Sequence, residues 1–177
     1  MDPLSQATTA AAVAQSAISK SAMTRIGLIG ALSGMAPDLD VLIQSSTDPL
    51  LQLEYHRQFT HSLIFIPFGA VICALVFWPF VYRHMSFQAI LLTSLTGYAT
   101  HGLLDACTTY GTLLLWPFSN ARIAWNNISV VDPLFTLPVL ALLLAAGLRK
   151  SQFLARLGVA WMLFYLSIGV IQKERAI

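Results

Sequence analysis

Charge is what this 177-residue chain has least of: Asp, Glu, Lys and Arg together make up 10% of it. A soluble domain carries about 25%, so these side chains cannot cover a water-facing surface. An ordinary cytosolic enzyme and a disordered regulator are excluded. Basic runs are missing too. The ten Lys and Arg are scattered and leave a net charge of only +2, too little to follow a phosphate backbone, so no nucleic-acid partner is expected. Cysteine is nearly absent. Cys73 and Cys107 lie in apolar stretches and form no Cys-x-x-Cys pair; there is no disulfide framework, and the redox compartment is not readable from them. The start lacks the basic residues and small-residue cleavage site of a signal peptide, with Asp2 near the front instead, so none is expected.

What is abundant is apolar surface, 56% of residues. Ser62–Tyr82 carries no charge and no histidine and, at 1.5 Å per residue, spans roughly 30 Å, the thickness of a hydrocarbon core. It predicts a transmembrane helix in which Pro67 and Pro79 are tolerated. Three more runs follow: Phe87–Tyr110, interrupted by His101 and Asp105; Pro133–Leu148; and Leu154–Ile171, with Arg156 placed to snorkel. Ala7–Ala22 reads as a small-residue helix suited to close packing. Ile26–Ile43 reads as short helices, surface-lying or re-entrant, broken at Pro37. The expected fold is all-α: one polytopic membrane bundle over residues 1–177, with about four transmembrane helices and two short N-terminal helices. The abrupt end at Ile177 suggests that a natural chain continues. Orientation stays open, because Arg57, Arg122, Lys173 and Arg175 on one side balance Arg83, Arg149, Lys150 and Arg156 on the other. Thr60-His61-Ser62-Leu63 and Thr100-His101-Gly102-Leu103 form a faint internal echo.

In so apolar a chain each intramembrane ionisable group is costly and informative. Those to explain are Asp38, Asp40, His56, Arg57, His61, His101, Asp105 and Asp132. His101 and Asp105 are four apart and share a helix face. Antiparallel helices bring His61, with His56 and Arg57 just before it, to the same end of the bundle. The Pro37-Asp38-Leu39-Asp40 corner adds two carboxylates, which repel unless a cation joins them. The expected metal ligands are Asp38, Asp40, His56, His61, His101 and Asp105. Such a mixed set suits one or two divalent ions, zinc first, with manganese or iron as alternatives. Plainer readings stand beside these. His101 and Asp105 would also serve as a hydrogen-bonded pair between helices, His61 as a cap, Asp38 as a turn residue and Arg57 as an interfacial snorkeller. Asp132 before Pro133 reads equally as a helix N-cap. The stretch from Thr108 to Ser129, with Trp116, Arg122, Trp125, Asn126 and Asn127, fits a lid or a headgroup-level loop. Arg57 and Arg122 are candidate catalytic residues that would hold a phosphate or carboxylate.

These motifs resemble the YdjM-type inner-membrane family of metal-dependent hydrolases. The resemblance rests on Pro37-Asp38-Leu39-Asp40, His56-Arg57-Gln58-Phe59-Thr60-His61-Ser62 and His101-Gly102-Leu103-Leu104-Asp105. It extends to Thr109-Tyr110-Gly111, Trp116-Pro117-Phe118 and the opening Met1-Asp2-Pro3-Leu4. Gln6 stands where family members often carry histidine, and Thr60 falls inside a motif, so both join Asp132 as further site candidates. The His-x-x-x-Asp pattern is also similar to that of zinc-dependent phospholipase C and single-strand nuclease folds, which implies phosphoester hydrolysis. The resemblance thus implies a multi-pass protein of the bacterial inner membrane. Its bound metal would activate water against a membrane lipid or lipid-linked substrate. The alternative is a small transporter or proton relay that uses the same His and Asp cluster.

Overall fold

The computed structural model describes residues 1–18, 22–45, 47–48, 51 and 55–176. Six α-helices form among them: α1 (Pro3–Ala17), α2 (Met23–Met35), α3 (Ile66–Val81), α4 (Phe87–Ala106), α5 (Pro133–Arg149) and α6 (Gln152–Ala176). A 3-10 helix, Ala36–Leu42, extends α2, and two 3-10 turns, Phe59–His61 and Leu63–Phe65, lead into α3. No strand occurs among the described residues; Thr112 and Ile123 form an isolated antiparallel bridge in the long loop between α4 and α5.

Helix α1 starts where Asp2 accepts a hydrogen bond from the Ser5 amide at 3.0 Å, with Pro3 at the first helical position. Such a cap contributes about 1 kcal/mol. Its Ala, Ser and Thr side chains are small, so neighbours approach closely, and α1 touches α2, α4, α5 and α6. Gly30 of α2 shows how tight this packing is. A Cβ there would lie 2.7 Å from the Ala14 Cβ, and one on Gly97 of α4 would lie 2.5 Å from the Gly30 carbonyl. One apolar cluster joins Ala12, Leu104, Phe135, Val139 and Met162; another joins Ala14, Ile26, Ala74 and Ile90.

The outside of the bundle is greasier than the inside. Phe68, Ile72, Leu75 and Phe80 of α3 and Leu163 and Phe164 of α6 are exposed, while Gln6, Thr8, Gln15, Thr93 and Ser94 are buried. Two α4 hydroxyls bond to their own helix, Thr93 to the Ala89 carbonyl at 2.7 Å and Thr100 to Gly97 at 2.7 Å.

The expectation of about four spans is met in part: among the described residues, two helical stretches, Leu63–Val81 and Gln152–Arg175, are long and apolar enough to cross a membrane. Helix α5 has 17 residues and reaches only about 26 Å, while α4 is interrupted by hydroxyls, His101 and Asp105. The small-residue helix expected to pack closely is α1, most of which is buried, and the Ile26–Ile43 segment, expected at the surface or re-entrant, forms α2 and its 3-10 extension with Ile26, Ile29, Ser33, Pro37 and Asp40 buried. The expected Ala7–Ala22 helix ends at Ala17; residues 19–21 lie outside the described residues, as does the terminal Ile177.

Candidate metal centre

Three segments meet at one end of α4. Pro37 opens the 3-10 helix, whose tight turns present Asp38 and Asp40, with Asp40 buried. Arg57 adopts a left-handed φ of 62° and reverses the chain ahead of the Phe59–His61 turn. Helix α4 brings His101 and Asp105, one turn apart, both buried. Gly102 makes the junction possible: a Cβ there would sit 2.3 Å from the His61 carbonyl oxygen.

Four ligand atoms face one another. His101 Nε2 lies 2.9 Å from His61 Nε2 and 3.2 Å from Asp38 Oδ1. His61 Nε2 lies 3.5 Å from both Asp38 Oδ1 and Asp105 Oδ2, and His101 Nε2 lies 3.7 Å from Asp105 Oδ2. A tetrahedral zinc with bonds of about 2.0–2.1 Å separates its ligand atoms by about 3.3–3.4 Å, so the spacing fits such an ion. The tautomers fit as well. His101 Nδ1 donates to the Gly34 carbonyl, which leaves the Nε2 lone pair free to point inward. Asp105 Oδ1 is taken by the Gln6 amide at 2.8 Å and by the Met1 amine. Its Oδ2 is buried without a hydrogen-bond partner. Two imidazole nitrogens and two carboxylate oxygens thus converge as a possible cation site.

Asp40 works from behind this group. Its Oδ2 accepts from the Arg57 amide at 3.0 Å and from Thr60 Oγ1 at 2.9 Å, and lies 3.4 Å from His61 Nδ1; its Oδ1 is 2.8 Å from His56 Nδ1. Thr60 Oγ1, which donates to Asp40, is also 3.0 Å from His61 Nδ1, so Asp40 orients His61 chiefly through Thr60 and raises its basicity. Asp38, Asp40 and His56 form a second, more open group with metal-binding spacing.

Electrostatics follow from the crowding. Burial opposes a charge on His61, but the Asp105 and Asp38 carboxylates 3.5 Å away, with attraction to Asp40, outweigh it, so its pKa is raised above 6.5. Burial likewise opposes ionised Asp38, but hydrogen bonds to His101 and His61 prevail and hold it well below the usual carboxylate range. Without metal, the surrounding carboxylates therefore favour a proton on His61.

Beside the cluster lies a cationic corner. The Arg57 guanidinium is largely buried, with Nε 3.3 Å from Asp105 Oδ2 but outside hydrogen-bond geometry. Its carbon stands 4.5 Å from the Tyr110 ring centre, and that of Arg122 stands 5.3 Å from the same ring. Arg122 also donates to the Gly111 carbonyl at 3.3 Å. Tyr110 therefore ties both arginines together, a role that sequence reasoning did not assign; the signal was an aromatic placed five residues after Asp105. Gln6 and Thr60 join the site as hydrogen-bond donors. Asp132 does not: it accepts from the Phe135 amide at 3.1 Å and from the Tyr165 hydroxyl at 2.9 Å, so the cap reading describes its place. Both of its oxygens are already used on its own helix pair.

The protein YfhP of Bacillus subtilis (strain 168), described as uncharacterized, is 31% identical over 121 residues, which cover 68% of this chain and 36% of YfhP. The matched region thus spans little more than a third of that relative. No solved structure matches the chain. The profile of the YdjM inner membrane proteins matches residues 1–176, essentially the whole length over which the site is assembled. The chain therefore belongs to the YdjM inner membrane protein family.

Proposed function

We propose that the protein is a multi-pass, metal-dependent hydrolase of the bacterial inner membrane, acting on a phosphoester of a lipid or lipid-linked molecule. One observation carries this reading: two histidine lone pairs and two carboxylate oxygens converge at 2.9 to 3.7 Å in a buried pocket. Asp38, His61, His101 and Asp105 would hold the ion. Zinc suits this nitrogen and oxygen set best, with manganese or iron as alternatives. The group of Asp38, Asp40 and His56 would take a second ion. A divalent metal bound there lowers the pKa of a coordinated water toward 7 and so supplies a nucleophile at neutral pH.

The chain's own residues do the rest. Asp40 holds His61 in orientation, and the Gly34 carbonyl does the same for His101. Arg57, buried with unpartnered guanidinium nitrogens, would receive a phosphate oxygen and stabilise charge developing on it. Arg122 would assist from the far side of Tyr110. In the net reaction water splits across the ester. The hydroxyl joins phosphorus, the phosphorus–oxygen bond to the alcohol breaks, and the alcohol leaves with the proton.

Elemental analysis of the protein purified in detergent without chelator tests the reading, together with cleavage of a chromogenic phosphodiester before and after dialysis against chelator. The expected result is stoichiometric metal, with turnover lost on chelation and restored by zinc. Wild-type protein that holds no metal even after zinc addition overturns it.

A further inference from the structure

A cavity of about 640 Å³ opens between α2, its 3-10 extension and α3. Its floor is polar and belongs to the cluster: Asp38, Asp40 and Thr60. Its walls are apolar, with Leu32 from α2 and Ile72 and Val76 from α3. These three are 44%, 56% and 55% exposed, so the cavity is a groove open along its side. The groove follows one face of α3, since Gly69, Ile72, Cys73 and Val76 recur at helical spacing. Helix α3 belongs to a stretch long and apolar enough to cross a membrane, and the cluster sits just before that stretch. From Leu63 to Phe77 is about 21 Å of helix. The opening therefore faces where lipid chains lie, and it runs from the cluster toward the middle of the span. Gly69 lets α3 lie directly against the Tyr98 ring at the groove's wall, because a Cβ there would collide with that ring at 2.3 Å.

We infer that this groove binds the hydrocarbon chain of an amphiphile whose phosphate head reaches the Asp38–Asp40 floor. The inference rests on the proposed metal-dependent reading for what receives the head, but the groove is a separate feature of the fold. A soluble phosphoester gains nothing from an apolar side trench. A bilayer amphiphile enters it sideways without crossing water and arrives with its head at the cluster.

The test uses the full chain in lipid nanodiscs and dodecyl phosphate bearing a photoreactive diazirine at mid-chain, with metal content measured on the same samples. The groove predicts label on peptides containing Leu32, Ile72 and Val76, and excess unlabelled dodecyl phosphate at ten times its Kd lowers that label about tenfold. Label on Leu163 and Phe164 of α6, which are exposed to ordinary lipid, does not saturate. Val76→Trp and, independently, Ile72→Trp fill the trench and abolish the saturable label while metal content stays at the wild-type level. Label that spreads evenly over α3 and α6, or that survives both substitutions in metal-loaded protein, overturns the inference. Saturable label in protein that binds no metal keeps the groove and removes the hydrolase reading. Bound metal without saturable label does the reverse.

Discussion

The end of α4 and the start of α5 each place an aspartate in an apolar helical bundle, and the two are used in opposite ways. Asp132 is fully spent: one oxygen caps the Phe135 amide, and both take the Tyr165 hydroxyl, at 2.9 and 3.1 Å. Asp105 has one oxygen held by Gln6 and the Met1 amine, while the other is buried and aimed at two histidine nitrogens. An ionisable group in a greasy chain thus marks a site when it has bonding capacity left over, and marks architecture when it does not.

The sharpest way to break this contrast is to remove one convergent lone pair. His101→Ala is expected to abolish stoichiometric metal, because an ion held by few protein ligands loses affinity steeply when one is deleted; elemental analysis of the purified variant reads it. Next comes Asp40→Asn, which leaves the four facing atoms in place but weakens the orientation of His61. Metal affinity should fall about 10–100-fold, measured by competition with a chromogenic zinc chelator. If Asp40→Asn proves as severe as His101→Ala, Asp40 is itself a ligand of the ion held by the four facing atoms.

Acidity sharpens the comparison further. The raised pKa of His61 means that its proton stabilises the metal-free fold. That contribution is full below 6.5 and is lost as pH rises through the higher folded value. Asp38, held low, contributes above its ordinary 3.8 and loses that only in strong acid. Metal must displace the His61 proton, so affinity should climb about tenfold per pH unit up to the folded pKa of His61 and then level. Thermal stability of chelated protein should move the opposite way over the same interval. Parallel rise of both curves would mean that His61 does not carry the competing proton.

Much of this was legible in the sequence for a physical reason. Apolar runs fix helices by their length, and the i, i+4 spacing of His101 and Asp105 puts them on one face whatever surrounds them. The convergence of 56–61 with 101–105 followed from antiparallel α3 and α4, while the 38–40 corner was added on the repulsion of its two carboxylates. What stayed hidden depends on backbone and packing. The Gly34 carbonyl that orients His101 has no side-chain signature. Gly102 looks like any helix glycine until the His61 carbonyl is found against it. Tyr110 acquires meaning only when the loop folds Arg122 back toward Arg57. Only two of the apolar runs stand out as spans by length and composition among the described residues, because an apolar run also describes a helix packed among its neighbours, as the hydroxyl-rich α4 is packed against α1, α2 and α3.

The smallest effect tests the other half of the contrast. Asp132→Ala removes the cap of α5 and the partner of Tyr165 together, and the cap alone is worth about 1 kcal/mol. Tyr165→Phe removes the second contact and leaves the cap, so it should cost less. Neither change touches a convergent atom, so metal content and affinity should match wild type while the midpoint of thermal unfolding falls, further for Asp132→Ala. Intact stability with lost metal in Asp132→Ala would place this aspartate in the site after all. It would also show that saturated hydrogen bonding is no guide to which buried charges in this bundle are structural.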